Sequence, residues 1–407
     1  MVVPQDLSRS FEVISFSNNS SEDRRLLKEF VDFHWNHYEG DSQYVPLLDY
    51  EYLGAKVIGM TGFFEKRNLF FTHGKVRFFL ALRKGKVIGR CNAFVNSDHN
   101  QHWQDKVGFF GNFECIQDQE VAAALLKEAE KWLALQGMDT VRGPQNFPVN
   151  EATPGFLVEG FQSRPVIYYH YNKPYYSDLI LSSDYRPKEN YLSWEVPLGT
   201  STVDAELASL SEKIIRRFQV TFEHWGDRPL SQRKMEMREI YNDAWAENFG
   251  FVPFTQAEFD KIIDDMQLIM DKKLFLFIYV KGEPAAFFGG VPNIMEILHP
   301  PKLFRRAEPL RVIRLLLQQS RISGFRLGYL GIKKKFRKLG LDGVMLWRQC
   351  FVSKQLGYEY CDMGYVLETN ALTQRLVERV GGVFSKKYTL YEKALSKPSL
   401  GFTHSEE

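Results

Sequence analysis

Residues 331–346, GIKKKFRKLGLDGVML, hold five cations in six positions and then a glycine-spaced apolar run. The stretch follows the strand-like RLGYLGI (326–332) and leads into a helical pattern. A helix start offers unbonded N–H groups and the positive end of a dipole, so this order suits an anion such as a phosphate. Arg337, Lys338, Gly340, Leu341 and Gly343 are the residues such an anion would meet, with Lys333, Lys334 and Lys335 adding charge. The spacing fits neither GxxxxGK[ST] nor GxGxxG. A solvated basic loop ahead of a core helix explains the same residues.

A second stretch, RGPQNFPVNEATPGFLVEGFQSRPVIYYHYNKPYY (142–176), fits neither helical nor strand periodicity. Loops of this length in compact domains are often functional. His170, Glu151 and Glu159 are its proton acceptors, and Asp362 and Glu368 join them from further along the chain. Each has a plainer explanation: His170 as a hydrogen-bonded ring in an aromatic cluster, the Asn and Glu residues as loop braces. Tyr168, Tyr169, Tyr171, Tyr175 and Tyr176 line a cleft or fill a core. His34 and His37 have metal-like spacing, but no third ligand is suggested nearby, so no metal site is expected. Lys302–Arg321 carries six cations and one acid among apolar residues. That pattern fits a helix resting on an anionic membrane, or a core helix whose arginines face solvent.

The elements that must hold these residues read as two similar halves. The 407 residues are 44% hydrophobic and 25% charged, with a net charge of +2, so the chain as a whole is not a polyanion binder. The four scattered cysteines, Cys91, Cys115, Cys350 and Cys361, suggest reduced thiols, and Met1–Glu29 has no signal-peptide core. A cytoplasmic protein is expected. In the first half, VRFFLAL and KVIGRCNAFV flank the turn Arg83-Lys84-Gly85, VGFFGNFEC follows as a strand, and Gln119–Leu135 is an amphipathic helix. The second half repeats this with LFLFIYV and PAAFFGGV around Lys281-Gly282-Glu283, then RLGYLGI, a helix, YEYCDMGYV, a helix over Asn370–Val380 and VFSKKYTLYEK. The expected units are 9–198 and 204–395, joined near GTSTV, with tails 1–8 and 396–407.

This order of elements is similar to the GNAT acyltransferase superfamily. Arg337-Lys338-Leu339-Gly340-Leu341-Asp342 resembles that family's pyrophosphate loop, [Q/R]xxGx[G/A], with Asp342 where a small residue is usual. Asn370, Arg379 and Gly381 match its closing motif, whereas Val377 stands where many members carry a tyrosine that protonates the leaving thiolate. Tyr365, Tyr388 and Tyr391 are the alternative donors. The first half reads Ile116-Gln117-Asp118-Gln119-Glu120 at the equivalent loop, two carboxylates and no glycine, so it resembles the fold without the cofactor site. The 142–176 loop, through Gly143, Pro144, Asn146, Asn150, Glu151, Gly155, Gly160, Phe161, Tyr171, Asn172, Pro174, Tyr175 and Tyr176, resembles large bacterial tandem-GNAT proteins. The bacterial ceramide synthases look similar to that group.

The resemblance implies an α/β (α+β) chain of two tandem GNAT-like domains, each a mixed, mostly antiparallel sheet flanked by helices. It implies an N-acyltransferase that uses acyl-CoA or acetyl-CoA as co-substrate and a small-molecule or lipid amine as acceptor. Leu330, Gly331 and Ile332 would meet the thioester, Arg337, Lys338, Gly340, Leu341, Gly343 and Asn370 the rest of the coenzyme. Asn146, Asn150, Tyr171, Asn172, Tyr175 and Tyr176 would meet the acceptor, and His170, Glu151, Glu368 and Tyr391 would handle protons. Rival readings are a Fem-like transferase using aminoacyl-tRNA and a non-catalytic ligand-binding protein. No nucleic-acid motif supports an RNA or DNA partner, and 302–321 is the expected site of peripheral contact with the inner membrane.

Overall fold

A computed structural model of the chain describes residues 10–56, 59–147, 153–199, 205–299 and 306–396. Asn150 and Glu151, the tail 1–8 and all but Ser396 of the tail 396–407 lie outside them. The first half runs β1 (Glu12–Phe16), α1 (Ser21–His37), α2 (Asp49–Leu53), β2 (Gly74–Arg83), β3 (Lys86–Asn96), α3 (Ser97–Trp103), β4 (Val107–Cys115), α4 (Gln119–Leu135), β5 (Thr140–Gly143), β6 (Phe156–Glu159), α5 (Tyr176–Leu181) and β7 (Arg186–Pro197). A helix, α6 (Ala205–Phe218), leads to β8 (Val220–His224), α7 (Leu230–Trp245), α8 (Gln256–Met266), β9 (Leu276–Val280) and β10 (Glu283–Pro292). The chain continues with α9 (Met295–Leu298), α10 (Glu308–Gln318), β11 (Gly324–Ile332), α11 (Leu341–Gln355), β12 (Tyr360–Leu367), α12 (Ala371–Arg379) and β13 (Val383–Ala394).

Local chemistry sets the element ends. Ser20 and Asp23 form a capping box on α1, and Thr255 and Glu258 form another on α8, each satisfying N–H groups that the helix leaves open. Lys84-Gly85 and Lys281-Gly282 take left-handed conformations, which lets β2–β3 and β9–β10 fold as tight hairpins. Val121, Leu125 and Ala129 of α4, one helical stripe, are fully buried. Each buried side chain of valine or leucine size contributes about 1.5–3 kcal/mol.

The strands form one sheet in the order β1-β2-β3-β4-β5-β13-β7-β12-β11-β10-β9-β8, with β6 pairing β13. Among the described residues β4–β5 and β11–β12 are the parallel pairs, and the other strand pairs are antiparallel. The two centre strands cross over in sequence. β13, the last strand of the chain, pairs with β5 of the first half, while β7 pairs with β12 of the second. Each half is therefore closed by a strand from the other.

Candidate functional site

In each half the parallel pair parts after three residues. β4 follows β5 only from Val107↔Thr140 to Phe109↔Arg142, and β11 follows β12 only from Gly324↔Tyr360 to Arg326↔Asp362. What fills the two gaps differs.

The first gap is filled by the chain itself. Asn112 donates its N–H to Asn146 Oδ1 at 2.7 Å, and a Cβ on Gly111 would lie 2.1 Å from the carbonyl oxygen of Gln145. Deeper in, the Glu114 carboxylate accepts from Tyr38 and Tyr176 hydroxyls at 2.6 and 2.5 Å, and burial pushes its pKa up. At the following helix start, Asp118 accepts from the N–H groups of Glu120 and Val121 and pairs with Arg83. A carboxylate already holds the donors that a phosphate would need.

The second gap is open. Lys333 donates its N–H to Ala285 of β10, and the register pairs Ile332 with Ala286, Gly331 with Phe287 and Leu330 with Phe288. Donors alternate along an antiparallel pair, so Gly331 faces β10 while the N–H groups of Leu330 and Ile332 point to the side that β12 has left. Trp245 of α7 reaches the same edge and donates to the Leu330 carbonyl at 3.0 Å. At the helix start that follows, Gly340 is left-handed (φ +78°) and α11 has no side-chain cap. This is the opposite of the Asp118 arrangement.

The basic loop is less free than its sequence suggests. Lys333 pairs with Glu239 at 2.6 Å, Lys334 with Glu247 at 2.9 Å, Lys335 with Glu283, and Arg337 donates to the Ala244 carbonyl at 2.6 Å. Three of these partners belong to α7 or its end. Lys333 is buried, whereas the Lys334 and Lys335 pairs are exposed and weak, so an incoming diphosphate can exchange with those two. The glycines also have a packing role: Cβ atoms on Gly340 and Gly343 would meet Ile214 at 2.7 Å and Leu207 at 3.2 Å, both on α6. Leu341 is buried in the core rather than facing the gap.

A cavity of about 1040 Å³ joins the gap to the other half. Its wall includes Gly328–Leu330 of β11, Met363–Leu367 of β12, Asp342, Asn370 and Val377, and it continues between α7, α8 and α10 past Tyr241, Phe259 and Leu315. Asn146, His170, Tyr171 and Asn172 line it from the 142–176 loop. Asn146 Nδ2 lies 3.2 Å from His170 Nε2, and desolvation holds the half-buried ring's pKa down, to about 4. Such a ring is neutral at physiological pH and a weak base. A group that the sequence reading passed over is Glu51 of α2, on the same wall, which burial raises to about 7. That value suits proton transfer near neutrality, but DYEYL carries no motif that would have marked it.

Several expected site residues lie off the cavity or spend their polar groups on bracing the fold. Glu368 is exposed, bonded to Lys387 and Asn190, and its pKa is lowered chiefly by Lys387, which makes it a poor base. Tyr391 is buried and bonded to Ser177, away from the cavity wall. Asn172 braces Leu157 and Lys173, Tyr175 donates to Cys115, and Tyr176 belongs to the Glu114 cluster. Asn370 caps α12 through Thr373. Asp362 is buried and accepts from Tyr169 and Ser193, both at 2.6 Å, at the point where β11 and β12 part. His34 Nε2 lies 3.3 Å from an Asp49 carboxylate oxygen, and His37 Nε2 lies 2.7 Å from the Tyr176 hydroxyl. All four cysteines are buried free thiols.

No protein-family model matches the chain. A tandem GNAT protein from the clavulanic acid biosynthesis pathway superposes with a TM-score of 0.54, over 95% of this chain and 99% of that one, at 8% identity. The chain has the tandem GNAT fold. A fungal GCN5-related glucosamine N-acetyltransferase region gives 0.55 at 14% identity, covering 94% of this chain and 38% of that one. In sequence, the chain is 28% identical over 380 residues to Protein YghO of Escherichia coli, 91% of this chain and 93% of that protein. It is also 28% identical over 340 residues to the bacterial ceramide synthase of Caulobacter vibrioides, 81% of this chain and 86% of that protein.

Proposed function

We propose that this chain is an N-acyltransferase that moves an acyl group from coenzyme A to a primary amine, with a long-chain lipidic amine as acceptor. The observation that carries the reading is the open β11–β12 gap, which leads from an uncapped helix start into a large, mainly apolar cavity. The relative named bacterial ceramide synthase supports the lipidic acceptor. In this reading the coenzyme's diphosphate lies at the start of α11 against Arg337, Lys338 and the first-turn N–H groups. The thioester carbonyl lies against the N–H groups of Leu330 and Ile332. The amine nitrogen attacks the carbonyl carbon, and the charge that develops on oxygen is received by those two donors. The carbon–sulfur bond then breaks and the thiolate leaves. The amine's surplus proton goes to a cavity carboxylate or to water, since His170 is too weak a base to take it from an ammonium. Val377 has no proton to give, and a thiol is acidic enough to leave as thiolate.

Isothermal titration with CoA, acetyl-CoA and palmitoyl-CoA, followed by a transfer assay with a sphingoid amine, tests this. Gly340→Glu is a poor probe because of its positive φ and its contact with Ile214. Arg337→Glu with Lys338→Glu, checked for folding by circular dichroism, is the better one. The expected result is tighter binding of palmitoyl-CoA than of CoA, weakened about tenfold or more in the double variant. Absence of binding to all three would sink the reading; binding without transfer to any amine would favour a ligand-binding protein.

A further inference from the structure

The sequence of α10 fits a helix resting on a membrane or a core helix with its arginines in solvent; in the structure Arg311 turns inward and most of the leucines face out. Glu308, Arg311 and Leu315, spaced three and four apart, are buried. Arg311 pairs with Glu308 at 2.7 Å, donates to the carbonyls of Pro46 and Leu47, and lies over the Trp35 ring. Arg314 turns back to the His299 carbonyl at 2.9 Å. The opposite stripe, Leu310, Ile313 and Leu317, is exposed, Leu317 to 78% and Ile313 to 50%. Leu316 beside it and Leu268 just past α8 are 63% and 75% exposed, and both also line the cavity. Singly exposed leucines are ordinary, but a continuous apolar face at a cavity rim marks a contact surface.

We propose that this face docks on an anionic lipid bilayer, so that the cavity opens to the membrane and receives its acceptor from there; the last clause rests on the acyltransferase reading, the docking itself does not. Two observations favour a bilayer over a protein partner. The apolar face runs into the apolar cavity at Leu268 and Leu316, as a passage for a lipid chain requires. From Pro309 to Arg321 there is no carboxylate, while Arg306 and Arg321 stand exposed at the two ends of the helix, where lipid phosphates would lie.

The test is co-sedimentation of the full chain with vesicles of phosphatidylcholine, with and without phosphatidylglycerol. The expected result is binding that needs phosphatidylglycerol and falls about tenfold or more in Ile313→Glu/Leu317→Glu, since each leucine-sized side chain withdrawn removes several buried methylenes. Leu135→Glu, on the exposed side of α4, is expected to bind like the parent chain. No binding, or binding unchanged in the double variant, would overturn the proposal. So would a dimer, measured by light scattering, that the double variant dissolves without any vesicle binding. Transfer from palmitoyl-CoA to a sphingoid amine held in detergent micelles, without vesicles, is read on the same preparations. Vesicle binding without transfer leaves the docking face standing and removes the acyltransferase reading; transfer without vesicle binding does the opposite.

Discussion

His34, His37 and His170 are held below the ordinary histidine value of 6.5, to about 4, 3 and 4, with desolvation the largest cause in each. The unfolded chain takes up these protons as pH falls through 6.5, whereas the folded chain does not until near 4. Between those values the unfolded state binds more protons, so stability falls with acid, by about 1.4 kcal/mol per pH unit for each such histidine. Urea midpoints measured from pH 7 down to about pH 4 are expected to show this slope, and His170→Gln is expected to make it shallower. Glutamine can still accept from Asn146, and His170 is already neutral, so the same variant should leave the acid limb of the transfer rate where it was. A shifted limb would make His170 a titrating base and correct the assignment made for it. None of these shifts was legible in the sequence, because a histidine's desolvation is set by distant packing: His37 is enclosed by Tyr176, 139 positions away.

At the scale of elements, α6 explains the glycines that the sequence offered to a phosphate. Any L-residue at Gly340 meets both a left-handed backbone and Ile214. Gly340→Ala is expected to cost about 1–2 kcal/mol for the backbone alone. The contact adds to this, so pairing the change with Ile214→Ala should recover part of the loss in a urea double-mutant cycle. Strict additivity would show that α6 does not press on the loop. The hairpins and α4 were legible because their signals are local: turn residues at Arg83-Lys84-Gly85 and Lys281-Gly282-Glu283, and an apolar stripe along Gln119–Leu135. The short strands β1, β6 and β8 and the helix α6 were not, since five residues or a linker leave little periodicity. The sidedness of α10 was hidden for another reason. Its pattern is amphipathic either way, and only Glu308 and the Pro46 and Leu47 carbonyls show that its arginine turns inward.

The whole molecule is held together by the exchange of β7 and β13. Repeated elements in the two halves led to a division near 199–203, and the connection there is a chain boundary without being a sheet boundary. Without residues 204–407 the first half loses β13, leaving one edge of β5 and β6 open together with the apolar side of Phe156 and Leu157. Without residues 1–203 the second half loses β7, leaving one edge of β12 open beside Cys361 and Met363. Unpaired edges with apolar neighbours aggregate. Each fragment alone is therefore expected to be insoluble or to show no cooperative unfolding. The two expressed together are expected to assemble into a soluble complex, because the break falls between β7 and α6 and every strand regains its neighbour. Arg142 of β5 and Glu392 of β13, 2.6 Å apart, supply a check on that assembly. Glu392→Arg should weaken the reassembled pair, and Arg142→Glu in the other fragment should restore part of it. A first fragment that unfolds cooperatively by itself would mean that β13 adds little to that half, and the exchange would then be a packing detail rather than the bond that makes one molecule of two repeats.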